Sequence, residues 1–370
     1  MSRGDASDEG SSRRDGGPSE RGTPRTDGSG TAGAIRDRAG GDGVEPLLSV
    51  RDLRKYYPVT SGVLGRRTGD VKAVDGVSFD LYPGETLAVV GESGCGKSSM
   101  AETLIGLNEA TGGEVLFRGE PLTGDTDRRV RREVQMMFQD PFSTLNERMT
   151  VGRIVAEPLV VHDERAEDRE SYVRDLLDTV GLDPYRYYRA FPHELSGGQR
   201  QRVGIARALA LNPSLVVADE PVSALDVSIQ AQILELLEDL QAEFGLTYLV
   251  ITHDMSVVRQ IADRVAVMYL GRIVELGDVD EVFDDPRHPY TEALLSSIPR
   301  VTANPTEDRR IRLEGSPPDP ADPPSGCNFH PRCHLYEELS TEERARCERE
   351  DPRSEKEGER RLACHFRPER

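Results

Sequence analysis

The chain has 370 residues, 47 of them basic and 66 acidic, for a formal net charge of −19. That length allows two or three domains, or one large domain with appendages. A strongly acidic field disfavours phosphate backbones and anionic lipid as general partners, so no nucleic-acid partner is expected.

No stretch approaches the roughly 18 consecutive apolar residues of a membrane span. Residues 1–43 lack the apolar segment of a secretory signal, which predicts a cytoplasmic protein that meets membranes through partners. Apart from Lys55, Lys72, Lys97 and Lys356 every basic residue is arginine, a bias that describes the host rather than the activity.

Residues 1–45 are rich in Gly, Ser, Asp and Arg. They hold too little apolar surface to offset the entropy of ordering, so a disordered tail is predicted. Order is expected to begin at Leu47–Val50. The stretch from Thr60 to Asp70, with Gly62, Gly65 and Gly69, reads as a loop. Val77–Leu81 alternates like a strand, and Pro83-Gly84 is a turn.

Thr86–Val90 is a short apolar run that delivers the chain into Gly91-Glu92-Ser93-Gly94-Cys95-Gly96-Lys97-Ser98, followed by Ser99. This is the phosphate-binding pattern GxxxxGK followed by Ser. Glycines let backbone N–H groups converge on phosphates, and the next helix brings its positive end toward them. Lys97 supplies a compact charge for the β- and γ-phosphates and Ser98 an oxygen for Mg²⁺. Cys95 reads as a small filler rather than a nucleophile.

A helical insertion is predicted between about Asp140 and Ser196, with helical spacing from Tyr172 to Val180. Another helix is predicted from Ser196 through Ile205 and Leu209 toward Leu211. Leu215–Ala218 and Thr247–Ile251 carry buried-strand signatures, and Ile229–Phe244 reads as an amphipathic helix between them. Such alternation implies a largely parallel sheet covered by helices. Asp219 would end the first of these strands near Mg²⁺, and Glu220 is the natural general base for an attacking water.

After Pro286 prolines are frequent and periodicity is weak. The spacing Cys327-x5-Cys333-x13-Cys347-x16-Cys364 offers four thiolates, enough for a tetrahedral zinc or a 4Fe–4S cluster. Free buried thiols are the alternative.

Leu195-Ser196-Gly197-Gly198-Gln199 resembles the LSGGQ signature of the ATP-binding cassette (ABC) family. The resemblance implies an α/β P-loop NTPase cassette over residues 46–285. Its parts would be a mixed-sheet core, a helical subdomain near 140–200 and an antiparallel β subdomain, with a small cysteine-containing C-terminal extension over 286–370. It implies ATP and Mg²⁺ as ligands. Ser196, Gly197, Gly198 and Gln199 would address the γ-phosphate of ATP held by an opposite subunit, in a head-to-tail homo- or heterodimer. Gln139 corresponds to the Q-loop glutamine that touches Mg²⁺ and water, Asp226 to the D-loop, and His253 to the switch histidine that joins Glu220 in catalysis. Tyr57, in preference to Tyr56, would stack on adenine.

His288–Leu295, Ser297-Ile298-Pro299 and Gly326–Cys333 resemble the extension of dipeptide and oligopeptide importer ATPases. That resemblance implies peptide import through two membrane permeases with an extracytoplasmic solute-binding protein, and a place at the cytoplasmic face of the membrane. Import of nickel complexes or sugars is the related alternative. It also favours iron–sulfur over zinc at the four cysteines. A soluble ABC ATPase of DNA repair or translation is disfavoured by the single cassette and acidic balance. A non-hydrolysing subunit is disfavoured by the intact Glu220, His253 and LSGGQ.

Overall fold

The computed structural model describes residues 44–61, 66–122, 128–139, 144–298, 310–352, 355–357 and 360–366. Most of the predicted N-terminal tail lies outside them. Two sheets organise the chain.

The central sheet is built on runs that are apolar without interruption. Strands β3 (Thr86–Val90), β7 (Leu215–Asp219) and β8 (Thr247–Thr252) are buried at every position. Burial on both faces is what a parallel, helix-covered sheet requires of its strands. With β6 (Val134–Met137) and β9 (Arg264–Tyr269) they form a parallel array in the order β9-β3-β8-β7-β6. Strand β10 (Arg272–Asp278) adds to β9 antiparallel, and the short β12 (Arg360–Leu362) and β11 (Glu355–Glu357) extend that edge. The sheet is therefore mixed, and its last two strands come from the C-terminal region where the sequence shows no periodicity.

Side chains alternate across this sheet with period two. Leu87, Val89, Leu215, Val217, Leu249 and Ile251 face one core. That core also receives helix α1 (Lys97–Leu104) through Met100, Ala101 and Leu104. Val216, Ala218, Tyr248 and Val250 face the other side. There they meet α3 (Val151–Val161), α4 (Arg169–Thr179), α6 (Gly197–Leu209) and α7 (Val227–Phe244). The predicted helices over 172–180, 196–211 and 229–244 thus form with ends shifted by a few residues. Two more lie beyond Pro286: α10 (Pro289–Ser296) and α11 (Thr341–Arg349).

The second sheet has the order β2-β1-β4-β5, with β1 (Leu48–Ser61), β2 (Arg66–Leu81), β4 (Gly112–Phe117) and β5 (Glu120–Pro121), all antiparallel. The expected loop from Thr60 to Asp70 is corrected over residues 60–61 and 66–70, which are in strands, while 62–65, with Gly62 and Gly65, lie outside the described residues. β1 and β2 pair from Leu48–Leu81 out to Ser61–Arg66. Cross-strand pairing overrides the glycine signal, and Gly69 sits within the ladder opposite Val59. The pairing sets Tyr57 against Val71, beside the phosphate loop that follows β3.

Among the described residues, no helix is long and apolar enough to cross a membrane.

Candidate functional site: a phosphate loop and three strand ends

Four neighbouring parallel strands, β3, β8, β7 and β6, end on one side, and the residues that follow them assemble the site. Beyond the carboxyl ends of parallel strands is where an open α/β sheet offers a crevice. β3 delivers the loop Gly91–Gly96 and then α1, whose first residue is Lys97. Lys97 is buried, and its Nζ donates to the carbonyl oxygens of Gly91 at 2.8 Å and Glu92 at 3.0 Å.

The loop tolerates no side chain at Gly96. Its φ is +107°, and a Cβ there would lie 1.9 Å from the carbonyl oxygen of Ala73 on β2. Cys95 is 6 % exposed and burial pushes its thiol above the ordinary value, so it is a neutral filler.

A cleft of about 310 Å³ opens over the loop, walled by Ser93, Gly94, Cys95, Gly96, Lys97, Ser98, Ser99, Gln139 and Glu220. Tyr57 and Val71–Ala73 close one flank. Tyr57 is thus in the cleft wall, whereas Tyr56 donates its hydroxyl to Asp75. Gly91 and Glu92 are not in the wall. Their carbonyls hold Lys97, and the Glu92 carboxylate is bound by Arg332. The sequence did not reveal Leu270, Gly271 or Pro320, which also line the cleft. None of the three sits in a motif of its own.

At the end of β7, Asp219 is 5 % exposed and hydrogen-bonded by Ser98. Burial holds its carboxyl above the usual carboxylate value, with the Ser98 hydrogen bond opposing and the Glu220 charge adding. Its Oδ1 is buried with no hydrogen-bond partner. A buried carboxylate oxygen left over beside a serine hydroxyl and a phosphate loop fits a divalent cation.

Glu220 then turns out of the strand line. Its φ is +46°, and its N–H donates to the carbonyl of Ile251 on β8 at 2.8 Å. A non-glycine residue in the left-handed region stores strain of about 1 kcal/mol or more. The turn aims the carboxylate at two neighbours: Oε2 accepts from Gln139 Nε2 at 2.9 Å and Oε1 lies 3.1 Å from His253 Nδ1. Gln139 follows β6 and His253 follows β8, so the three side chains meet because their strands are adjacent.

The signature residues do not join this cleft. Ser196 is the exposed N-cap of α6: its Oγ accepts from Gln199 N–H at 3.4 Å, and its own N–H donates to Gln199 Oε1 at 3.0 Å. This reciprocal pair fixes the helix start. Gln199 Nε2 donates to Tyr187 hydroxyl at 2.8 Å. Gly198 is required because a Cβ there would come 2.6 Å from Ile229 Cγ2 on α7. Asp226 is the exposed N-cap of α7. None of Ser196, Gly197, Gly198, Gln199 and Asp226 lines the cleft of their own chain.

The four C-terminal cysteines do come together. Cys327, Cys333, Cys347 and Cys364 line one small pocket with Phe329, Leu335 and other apolar neighbours. Burial first, then the neighbouring thiols, pushes Cys327 and Cys364 up to about 12. Burial likewise pushes Cys333 up to about 11. The expectation of a metal centre is not carried by this arrangement. Among the described residues, no three His, Cys, Asp or Glu side chains are grouped to hold a metal ion. The histidines have other partners: His330 pairs with Cys327 O at 2.9 Å, His334 with Glu292 at 3.1 Å and His365 with Glu350 O at 2.8 Å.

Comparison with protein families matches residues 74–223 to "ABC transporter" and residues 274–338 to "Oligopeptide/dipeptide transporter, C-terminal region". The oligopeptide transport ATP-binding protein AppF of Bacillus subtilis is 53% identical over 305 residues, 81% of this chain and 92% of that one. The dipeptide transport ATP-binding protein DppF of Escherichia coli is 50% identical over 294 residues, 78% of this chain and 87% of that one. Among solved structures, the dimeric ABC transporter cassette MJ0796 is 30% identical with a TM-score of 0.55, covering 63% of this chain and 99% of that one. The nucleotide cleft, its strand-end residues and the matched extension therefore have one explanation: the chain belongs to the ABC transporter ATP-binding proteins, in the branch that carries the oligopeptide/dipeptide C-terminal region.

Proposed function

We propose that this chain is the ATP-hydrolysing subunit of a peptide importer, acting at the cytoplasmic face of a membrane as one of two cassettes beneath two permeases. The observation that carries the reading is the meeting of Gln139, Glu220 and His253 beside the Lys97 loop, in a chain whose extension matches the oligopeptide/dipeptide type.

The loop from Gly91 to Ser99 holds the triphosphate, with Lys97 turning from the Gly91 and Glu92 carbonyls to the phosphates, and Tyr57 stacks on the base. Ser98 and Asp219, with Gln139, would hold Mg²⁺, which would offset phosphate charge. Glu220 accepts the proton of the attacking water, His253 and Gln139 fix the orientation of its carboxylate, and His253 reaches the γ-phosphate. Ser196 and Asp226 are exposed and lie outside the wall of their own cleft, which supports a head-to-tail pair in which the α6 N-terminus completes the partner's site. A groove of about 200 Å³ beside the Gln139 segment, walled by Phe138, Leu145, Pro158 and Arg207, would seat the permease.

The four cysteines of the extension act as buried neutral thiols in an apolar pocket, the alternative the sequence left open. Iron and acid-labile sulfide assays of anaerobically purified protein test that assignment: neither is expected, and finding both would overturn it.

The transport role is tested in liposomes containing the permeases and a peptide-loaded binding protein. Peptide-stimulated ATP turnover and uptake are expected. Stimulation by nickel complexes or sugars but not peptides would reassign the solute.

A further inference from the structure

Glu92, the second residue of the phosphate loop, is held on three sides, two of them by groups outside the motif. Its N–H donates to the hydroxyl of Tyr290 on α10 at 2.8 Å. Its carbonyl holds Lys97. Its carboxylate is gripped by Arg332, with Nη1 to Oε2 at 2.7 Å and Nη2 to Oε1 at 3.1 Å. The Arg332 side chain is only 5 % exposed against 28 % for Glu92. Arg332 lies between Cys327 and Cys333 in sequence, and its Nε donates to Glu314 O at 3.3 Å. A second segment of the extension reaches the site at Pro320, whose carbonyl accepts from Lys72 N–H at 3.2 Å and which lines the nucleotide cleft.

A carboxylate one residue into a phosphate cradle opposes the binding of a polyanion. A bidentate guanidinium cancels that charge in a fixed geometry, as lysine could not. We propose that Arg332 is a positioning residue of the nucleotide site: by neutralising and anchoring Glu92 it sets the field and shape of the phosphate loop, so the C-terminal extension forms part of the ATP-binding apparatus. This rests on the reading that the Lys97 loop holds the phosphates.

The two ends of the ion pair carry opposite predictions, which a purely structural tether would not. Arg332→Gln leaves the Glu92 charge uncompensated and should raise KM for ATP about five-fold, the scale of one charge at roughly 10 Å from a polyanion in a partly screened site. Glu92→Gln leaves the cation uncompensated and should lower KM. The double variant should return within about two-fold of the parent. The full-length protein is used, with KM and kcat from steady-state hydrolysis, ATP affinity by calorimetry, and a thermal midpoint for each variant. Weakened ATP binding in both single variants with no recovery in the double, or no change in any, overturns the proposal. Should Arg332→Gln fail to fold, Glu92→Gln alone decides, because tighter ATP binding supports the proposal and unchanged or weaker binding overturns it. Lys97→Ala separates the two levels: if it binds ATP normally the phosphate-loop reading falls, and the proposal with it. If it abolishes binding while the ion-pair variants behave as the parent, only the role of Arg332 falls.

Discussion

Glu220 Oε2 accepts a hydrogen bond from Gln139 Nε2 at 2.9 Å, across the 81 residues that separate them in sequence. The contact exists because β6 and β7 are parallel neighbours, with Met137 opposite Ala218. It occupies one carboxylate oxygen while His253 faces the other. A carboxylate held at both oxygens by groups on separate loops is oriented before any substrate arrives.

Replacing Glu220 with Gln keeps the size and one acceptor but removes the base. Hydrolysis should fall by about 10²- to 10⁴-fold while ATP affinity is retained. Single-turnover hydrolysis together with retention of labelled ATP on the protein measures both. Normal turnover would remove Glu220 from its role. Gln139→Ala and His253→Ala should lower kcat less steeply, as each leaves the carboxylate in place.

Gly96 and Gly204 make a matched pair for testing the loop. A methyl at Gly96 collides with the Ala73 carbonyl and demands a disfavoured φ, so Gly96→Ala should abolish nucleotide binding. Gly204 lies inside α6, and a Cβ there meets nothing within 4 Å. Gly204→Ala should raise stability by about 0.5–1 kcal/mol and leave ATP binding unchanged. Calorimetric ATP titration and urea unfolding of both variants check the contrast.

Burial raises the Asp219 carboxyl above its ordinary value of 3.8, so the folded protein takes up this proton at higher pH than the unfolded chain does. Ionised Asp219 therefore costs stability above its folded pKa, and the cost disappears as pH falls through that value. A bound cation needs the ionised form. The Mg²⁺ concentration for half-maximal hydrolysis should rise as pH falls through the raised folded pKa, by up to about ten-fold per pH unit below it. Asp219→Asn should flatten that dependence. Mg²⁺ titrations of turnover at several pH values would reveal a wild-type response that stays level, which is the contrary result.

Much of the site is legible in the sequence because its parts are local. A phosphate loop is consecutive residues, and Asp219-Glu220 directly ends an apolar strand. What is not legible depends on pairing at a distance. The hairpin of β1 and β2 is hidden by glycines that local rules assign to a loop, although Gly69 pairs within it. The attachment of β12 to β10 rests on two residue pairs and on Arg360 donating to the fully buried Glu275. Neither leaves a period in the sequence. The Glu92–Arg332 pair joins residues 240 apart, both ordinary charged residues when taken singly.

His288 offers a stability test for the anchoring of the extension. It is 1 % exposed, its Nδ1 accepts from Tyr290 N–H at 3.1 Å to cap α10, and its own N–H donates to Glu275 Oε2 at 3.0 Å. Burial pushes its pKa down from 6.5 to about 3, with a hydrogen bond to the Ala363 backbone opposing and the nearby His334 adding to the shift. The imidazole is thus neutral in the folded protein, while in the unfolded chain it takes a proton below about 6.5. Its contribution is complete above that pH and is lost as pH falls toward the folded value, with a limiting slope of about 1.4 kcal/mol per pH unit. His288→Asn keeps a capping acceptor but no titrating group. It should be less stable at neutral pH, through loss of the ring packed on Phe329, yet lose about one proton's worth less stability per pH unit on acidification. Urea unfolding of both proteins between about pH 4 and pH 7 reads that difference in slope directly. Parallel slopes would mean that His288 is protonated in the folded state, and that the extension is docked by some other means than this buried neutral ring.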